Sequence, residues 1–178
     1  MNTKYFLTMV FAMSLSLLHF PLASLAVLFC LAPVALAEDA ADTIILTITG
    51  PSGASEAVVF DRDDLMAMRQ VTYQTTTIWT NGLLEFRGVP LSEILKVAKL
   101  TGTSLRLTAS NDYAAEVPVE SILPDVPILA FEIDGKPMSL RDKGPLWLVY
   151  PYDLSTAYQT EVVYTRSIWQ LERIEVLP

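Results

Sequence analysis

Cysteine and histidine are all but missing from this chain. Its single cysteine, Cys30, and its single histidine, His19, both fall within the first 37 residues. The remaining 141 residues have neither, which excludes disulfides, thiolate nucleophiles, Ser-His-Asp triads and Cys/His zinc sites together. A disulfide-free exported domain must be held by its apolar core. Positive charge is also scarce, with 12 Lys and Arg against 20 Asp and Glu. Loss of Lys4 with the N-terminal segment takes the net charge from −8 to −9. Nucleic acid demands a basic patch and an anionic membrane surface demands cations, so neither is expected as a partner. What chemistry remains belongs to carboxylates, Lys, Arg, Tyr, Ser/Thr or a bound cofactor.

The N-terminal segment reads as a secretory signal. Lys4 gives a positive start, Tyr5 to Leu36 is almost wholly apolar, and Ala35-Leu36-Ala37 is a small-x-small cleavage site. The apolar stretch is long, so an uncleaved anchor is the alternative; His19 and Pro21 interrupt it and favour removal. Phe29 precedes Cys30 where a lipoprotein signal needs a small residue. The expected organisation is a signal over 1–37 and one domain over 38–178, periplasmic or secreted, with no membrane insertion after cleavage.

Along the expected domain, Thr43 to Thr49 and Ala57 to Phe60 read as a hairpin closed by Gly50-Pro51-Ser52-Gly53. Asp61 caps a short helix with Asp63 and Asp64 in its first turn and Leu65, Met66 and Met68 turned inward. The acidic triplet lacks the later glycine and glutamate of a calcium loop. Val71 to Thr80 is a β-branched strand that places Thr75, Thr77 and Trp79 on one face, and Asn81-Gly82 is a hairpin turn. Leu84 to Phe86 follows, Arg87-Gly88-Val89-Pro90 turns the chain, and Leu91, Ile94, Leu95 and Ala98 share one helix face. Strands over Leu105 to Ala109 and Ala114 to Val117 flank the polar corner Asn111-Asp112-Tyr113, and Ile128 to Ile133 is a further strand. Tyr152 to Thr165 shows little regular pattern but repeats tyrosine, and a final strand ends near Leu177. The class is α+β, rich in β.

Arg141-Asp142-Lys143-Gly144-Pro145 leads into the unbroken apolar run Leu146 to Tyr150, stopped by Pro151. The run reads as a strand buried on both faces. The charges before it suit a solvated turn or, held on a loop fixed by that strand, an anion site made by Arg141 and Lys143. Arg166 is a third cation, fit for an anion contact or for a buried ion pair at a strand start. Trp147 and Trp169 fit core positions; Trp79 stands out in a polar strand. Asn111 is a turn former or a ligand contact. Tyr150, Tyr152 and Tyr158 suit a cleft wall. No two carboxylates can be placed for acid–base catalysis.

Several segments, in order, resemble the oxidoreductase molybdopterin-binding domain, the fold of sulfite oxidase's central domain. They are Phe86-Arg87-Gly88-Val89-Pro90-Leu91, Asn111-Asp112-Tyr113, Ile128-Leu129-Ala130 with Asp134-Gly135-Lys136-Pro137, the 141–151 stretch, and Arg166-Ser167-Ile168-Trp169-Gln170-Leu171. The resemblance implies a sulfite-oxidase-like fold of mixed sheets and short helices, and relatives that hold a molybdenum pterin through Arg, Lys and backbone amides. It also implies a metal-ligating cysteine in the strand before the Gly-Val-Pro-Leu helix. Here that stretch is Thr75-Thr76-Thr77, with Thr76 the closest match, and a hydroxyl is a poor ligand for a metal that wants soft thiolate.

The expectation is therefore a catalytically degenerate binding or accessory domain without a bound cofactor, molybdopterin being the one the resemblance allows. Its cleft would use Thr76, Trp79, Asn111, Arg141, Lys143 and Arg166 for a small anionic ligand or a periplasmic protein partner. The alternatives are a molybdopterin-dependent oxidoreductase with a non-cysteine metal site, and a structural partner of a membrane sensor or redox chain.

Overall fold

A computed structural model describes residues 43–51 and 56–178; the signal reading and the Ser52-Gly53 turn lie outside them. Two five-stranded sheets share one apolar core. The first takes β1 (Leu46–Thr49), β2 (Val58–Phe60), β5 (Ser104–Ala109), β6 (Ala114–Pro118) and β10 (Leu171–Leu177) in the order β2-β1-β10-β5-β6. It is mixed, because β1 runs parallel to β10 while the other neighbours are antiparallel. The second contains β3 (Val71–Thr75), β4 (Leu84–Pro90), β7 (Ile128–Ile133) and β8 (Lys136–Pro137), with β9 (Trp147–Val149) on β7 as well. Helices α1 (Arg62–Ala67), α2 (Leu91–Ala98) and α3 (Glu161–Arg166) are short. The α+β, β-rich class holds. Among the described residues no helix is long and apolar enough to cross a membrane.

The apolar runs form the centre. Every residue from Ile128 to Glu132 and all of β9 are buried, as expected of strands covered on both faces. Alternation holds in β1, where Leu46 and Ile48 point inward, but Ile44 precedes the strand and is exposed. Asp61 caps α1 as read: its side chain accepts from Asp64 N at 2.7 Å and the Asp64 carboxylate accepts from Asp61 N at 3.2 Å. Leu65 is buried, whereas Met66 faces solvent.

Three local readings are corrected. Arg87-Gly88-Val89-Pro90 continues β4, paired with both β3 and β7, and is not a turn. Gly88 is there because a Cβ would run into the carbonyl oxygen of Leu129 on β7. The β3 strand ends at Thr75, and β4 resumes only at Leu84, so Asn81-Gly82 lies inside an eight-residue connection (76–83) rather than a two-residue hairpin. Residues 152–165 are not irregular: two 3-10 turns lead to α3, whose N-cap Thr160 accepts from Val163 N.

The segment before β10 joins the sheets. Leu148 N donates to Ile168 O at 2.9 Å, Leu171 N to Leu146 O at 3.0 Å, and Gln170 N to Lys143 O at 3.1 Å. The 143–148 stretch is therefore fastened to 168–171, which places Lys143 beside Trp169.

An aromatic cleft and its surroundings

The strand β3 stops because side chains take over its backbone bonding. Thr76 N and Thr76 Oγ1 donate to the Asp153 carboxylate at 2.6 and 2.8 Å, and Asp153 N donates to Thr75 Oγ1 at 3.1 Å. The chain then turns on hydroxyls: Trp79 N donates to Thr77 Oγ1 at 3.0 Å, and Thr77 and Thr80 hydroxyls lie 2.8 Å apart. Ser and Thr side chains that bond nearby backbone compete in this way with a ladder. The turn carries the Trp79 indole into contact with other rings instead of onto the face shared by Thr75.

Trp79 meets four rings edge-on: Trp169 at 5.6 Å, Tyr164 at 5.7 Å, Trp147 at 5.8 Å and Tyr152 at 6.2 Å between centroids. Edge-to-face geometry at these separations sets the positive ring edge against a negative face. Ser167, almost wholly buried, anchors the cluster. Its hydroxyl accepts from Tyr152 OH at 2.7 Å and donates to Val163 O at 2.8 Å, and its carbonyl accepts from Trp147 Nε1 at 3.1 Å. Burial holds the Tyr152 phenol well above its ordinary pKa.

Beside this cluster opens a cavity of about 620 Å³. Trp79, Trp169, Tyr164, Tyr113 and Ile78 give it apolar walls; Asn111 and Glu161 bring polarity. Glu161, in the first turn of α3, is the one charged residue on its wall among the described residues.

The expected site residues scatter around this cleft. Trp79 and Asn111 line it. Lys143, in left-handed backbone (φ 73°) after a 3-10 turn, sets its Nζ 4.5 Å from the Trp169 ring centroid and 5.4 Å from that of Trp147. Arg141 is exposed, and its neighbour Asp142 accepts from Ser139 Oγ at 2.8 Å rather than pairing with it. Thr76 is bound to Asp153 away from the cavity wall. Arg166, half-buried, makes no ion pair among the described residues. It lies close enough to Tyr150 to favour the phenolate, yet burial prevails and pushes that phenol up to about 12. The Tyr150 hydroxyl is buried with no hydrogen-bond partner among the described residues, and its ring is 6.1 Å from that of Tyr158.

Glu161, Tyr164, Tyr113, Ser167 and Asp153 were not anticipated as site residues. The signal for the first two was Thr160 followed by an acidic residue, a helix start, together with the recurring tyrosines. Asp153 reaches Thr76 across 77 positions, and nothing local announces that.

The chain belongs to the oxidoreductase molybdopterin binding domain family, whose sequence profile matches residues 32–175. Its fold is sulfite-oxidase-like and similar to that in the crystal structure of the sulfane dehydrogenase SoxCD from Paracoccus pantotrophus, with a TM-score of 0.57 at 22% identity. The likeness covers 74% of this chain but only 37% of that one. No curated protein matches the sequence.

The family binds molybdopterin, and the residues present here fit that group poorly. The position the resemblance assigns to a metal-ligating thiolate holds a hydroxyl already donated to Asp153. Among the described residues the one charge lining the aromatic cavity is anionic, which would oppose a phosphate seated there. Lys143 is drawn to the indoles.

Proposed function

We propose that this chain is an exported, catalytically degenerate member of its family that binds a ligand or a partner segment in the aromatic cleft. The observation that carries the reading is the Thr76–Asp153 pair, a hydroxyl and a carboxylate where a metal-binding relative needs a free thiolate. The cleft supports the binding half: ring walls with a few polar groups are the usual make-up of a small-molecule site. Export rests on the Lys4, apolar stretch and Ala35-Leu36-Ala37 pattern. The basic residues first suggested an anionic ligand, but Arg141 and Arg166 do not line the cleft.

Metal and pterin analysis of the protein purified from its native host tests the reading. We expect molybdenum far below stoichiometry; one molybdenum with one pterin per chain would overturn it. A second reading, a molybdopterin-dependent oxidoreductase with a non-cysteine metal site, draws on Arg166 beside the Tyr150 hydroxyl, neither of which finds a partner among the described residues. It requires a cofactor absorption band in the native protein that Arg166→Ala removes.

A further inference from the structure

Two features of the cleft favour one kind of ligand charge, and a third shows that its rings accept a cation. Its walls are rings, whose faces carry negative potential and attract cations, most strongly at tryptophan. Trp79, Trp169, Tyr164 and Tyr113 all contribute. Its single charged wall residue is Glu161, whose carboxylate makes no hydrogen bond or ion pair among the described residues. Finally, one of these indoles already has a cation over it: Lys143 Nζ sits 4.5 Å from the Trp169 centroid, though Lys143 itself does not line the cavity. The chain's surplus of acidic residues, 20 against 12 basic, adds a long-range field that draws cations in.

We propose that the cavity binds an organic cation, a quaternary or alkylated ammonium group seated among Trp79, Trp169 and Tyr164 with Glu161 as its counter-charge. The proposal rests on the reading that this cleft is a ligand site rather than a pterin cradle. Ring faces stabilise such a group at little desolvation cost, because alkylated ammonium is weakly hydrated and its charge is spread over its methyl groups. The volume of about 620 Å³ leaves room for an organic tail beyond the ammonium head. Lys143 makes the sign of the ligand testable. If the occupant is cationic, Lys143 opposes it; if anionic, Lys143 helps it.

The probe is butyrylcholine, compared with its neutral carbon isostere, in which a quaternary carbon replaces the ammonium nitrogen, and with hexanoate. All three tryptophans of the chain lie in this cluster, so intrinsic fluorescence reports the site, and calorimetry confirms the stoichiometry. Butyrylcholine should bind at least about tenfold more tightly than the isostere. Glu161→Gln should weaken it about three- to fivefold, the range of an exposed charge pair. Lys143→Gln should strengthen it about twofold. Both variants change exposed or half-buried side chains, and unchanged near-ultraviolet dichroism verifies their fold. Equal binding of the isostere, or tighter binding of hexanoate with weakening by Lys143→Gln, would overturn the proposal in molybdenum-free protein while leaving the binding-domain reading intact. Stoichiometric molybdenum and pterin would instead overturn the reading itself.

Discussion

Trp79→Ala removes the ring on which the cluster converges, and the structure sets the size of the effect. Truncating a fully buried tryptophan costs about 3–5 kcal/mol through lost transfer energy and the cavity left behind. Edge-to-face pairs add about 0.5–1.5 kcal/mol each, and Trp79 makes such contacts with Trp147, Tyr152, Tyr164 and Trp169. Against this, Trp79 borders an open cleft and is only partly buried, so part of its surface stays wet in the folded state. The balance is a loss of about 3 kcal/mol, the low end of the buried range. For a domain of this size each kcal/mol lowers Tm by about 3–4 °C, which gives a fall of about 10 °C. Trp79→Phe keeps an apolar ring in place and should lose only about 1 kcal/mol, or about 3 °C. Calorimetry reads both, and near-ultraviolet dichroism should lose much of its tryptophan signal in Trp79→Ala alone. A Trp79→Ala protein melting within about 3 °C of the parent, with that spectrum unchanged, would refute the assignment of Trp79 as the hub.

Other perturbations follow from the same geometry. Gly88→Ala should unfold or aggregate the protein, since its Cβ meets the β7 backbone at Leu129 and Ala130; a Gly88→Ala variant that stays soluble and native-like by dichroism would contradict the β4–β7 register. Glu132, buried on β7, pairs with Arg62 at 3.2 Å and with Arg87, so Glu132→Gln should cost about 2–3 kcal/mol in urea unfolding. That is below a fully buried pair because both arginines reach solvent. The Asp153 carboxyl is held below its ordinary 3.8 chiefly by bonds from Thr76. Its contribution is therefore present above about pH 4 and lost as pH falls through the lowered folded value. Asp153→Asn should flatten the acid limb of Tm against pH, and an unaltered limb would exclude the Thr76–Asp153 latch. Burial raises the Tyr73, Tyr150 and Tyr152 phenols, that of Tyr150 to about 12. The stability from keeping them neutral is complete below about pH 10 and lost as pH climbs towards their folded values. Ultraviolet titration should show a late tyrosine phase that denaturant moves to lower pH.

What the sequence revealed depended on how local the cause was. The strand Ile128 to Ile133 and the buried run Leu146 to Tyr150 needed only their own composition, and the Asp61 cap needed only a neighbour three residues on. The alternation from Val71 onward failed at Thr76 because the competing acceptor, Asp153, lies 77 positions away. Arg87-Gly88-Val89-Pro90 looks like turn chemistry, yet glycine serves there to let two strands meet, not to bend one. Helix α3 escaped notice because Val162, Val163 and Thr165 are β-branched and favour strands; its cap and its packing decide otherwise. The cleft was half legible for the same reason. Trp79 and Asn111 stand out by themselves, whereas Glu161 and Tyr164 acquire meaning only once α3, which carries them, is folded beside Trp79.

Thr76 and the aromatic cluster are both held by internal side-chain bonds. A fold that binds a large cofactor gains stability from it in proportion to the logarithm of ligand concentration over Kd, and its site can be loose when empty. In this chain the walls of the cleft hold one another through internal bonds. Here the Trp79 turn is fixed by Thr77 and Thr80, Thr76 is tied to Asp153, and Ser167 bonds Tyr152 and Trp147 at once. Each bond is internal to the protein and needs no guest. Rings fixed by such internal bonds would limit the ordering cost of binding to the ligand's own. Under the proposed reading, an aromatic wall carrying the Glu161 carboxylate would select by charge and shape rather than by metal coordination. Molybdenum content and charge selectivity are therefore independent measurements, and the two together decide what this site has become.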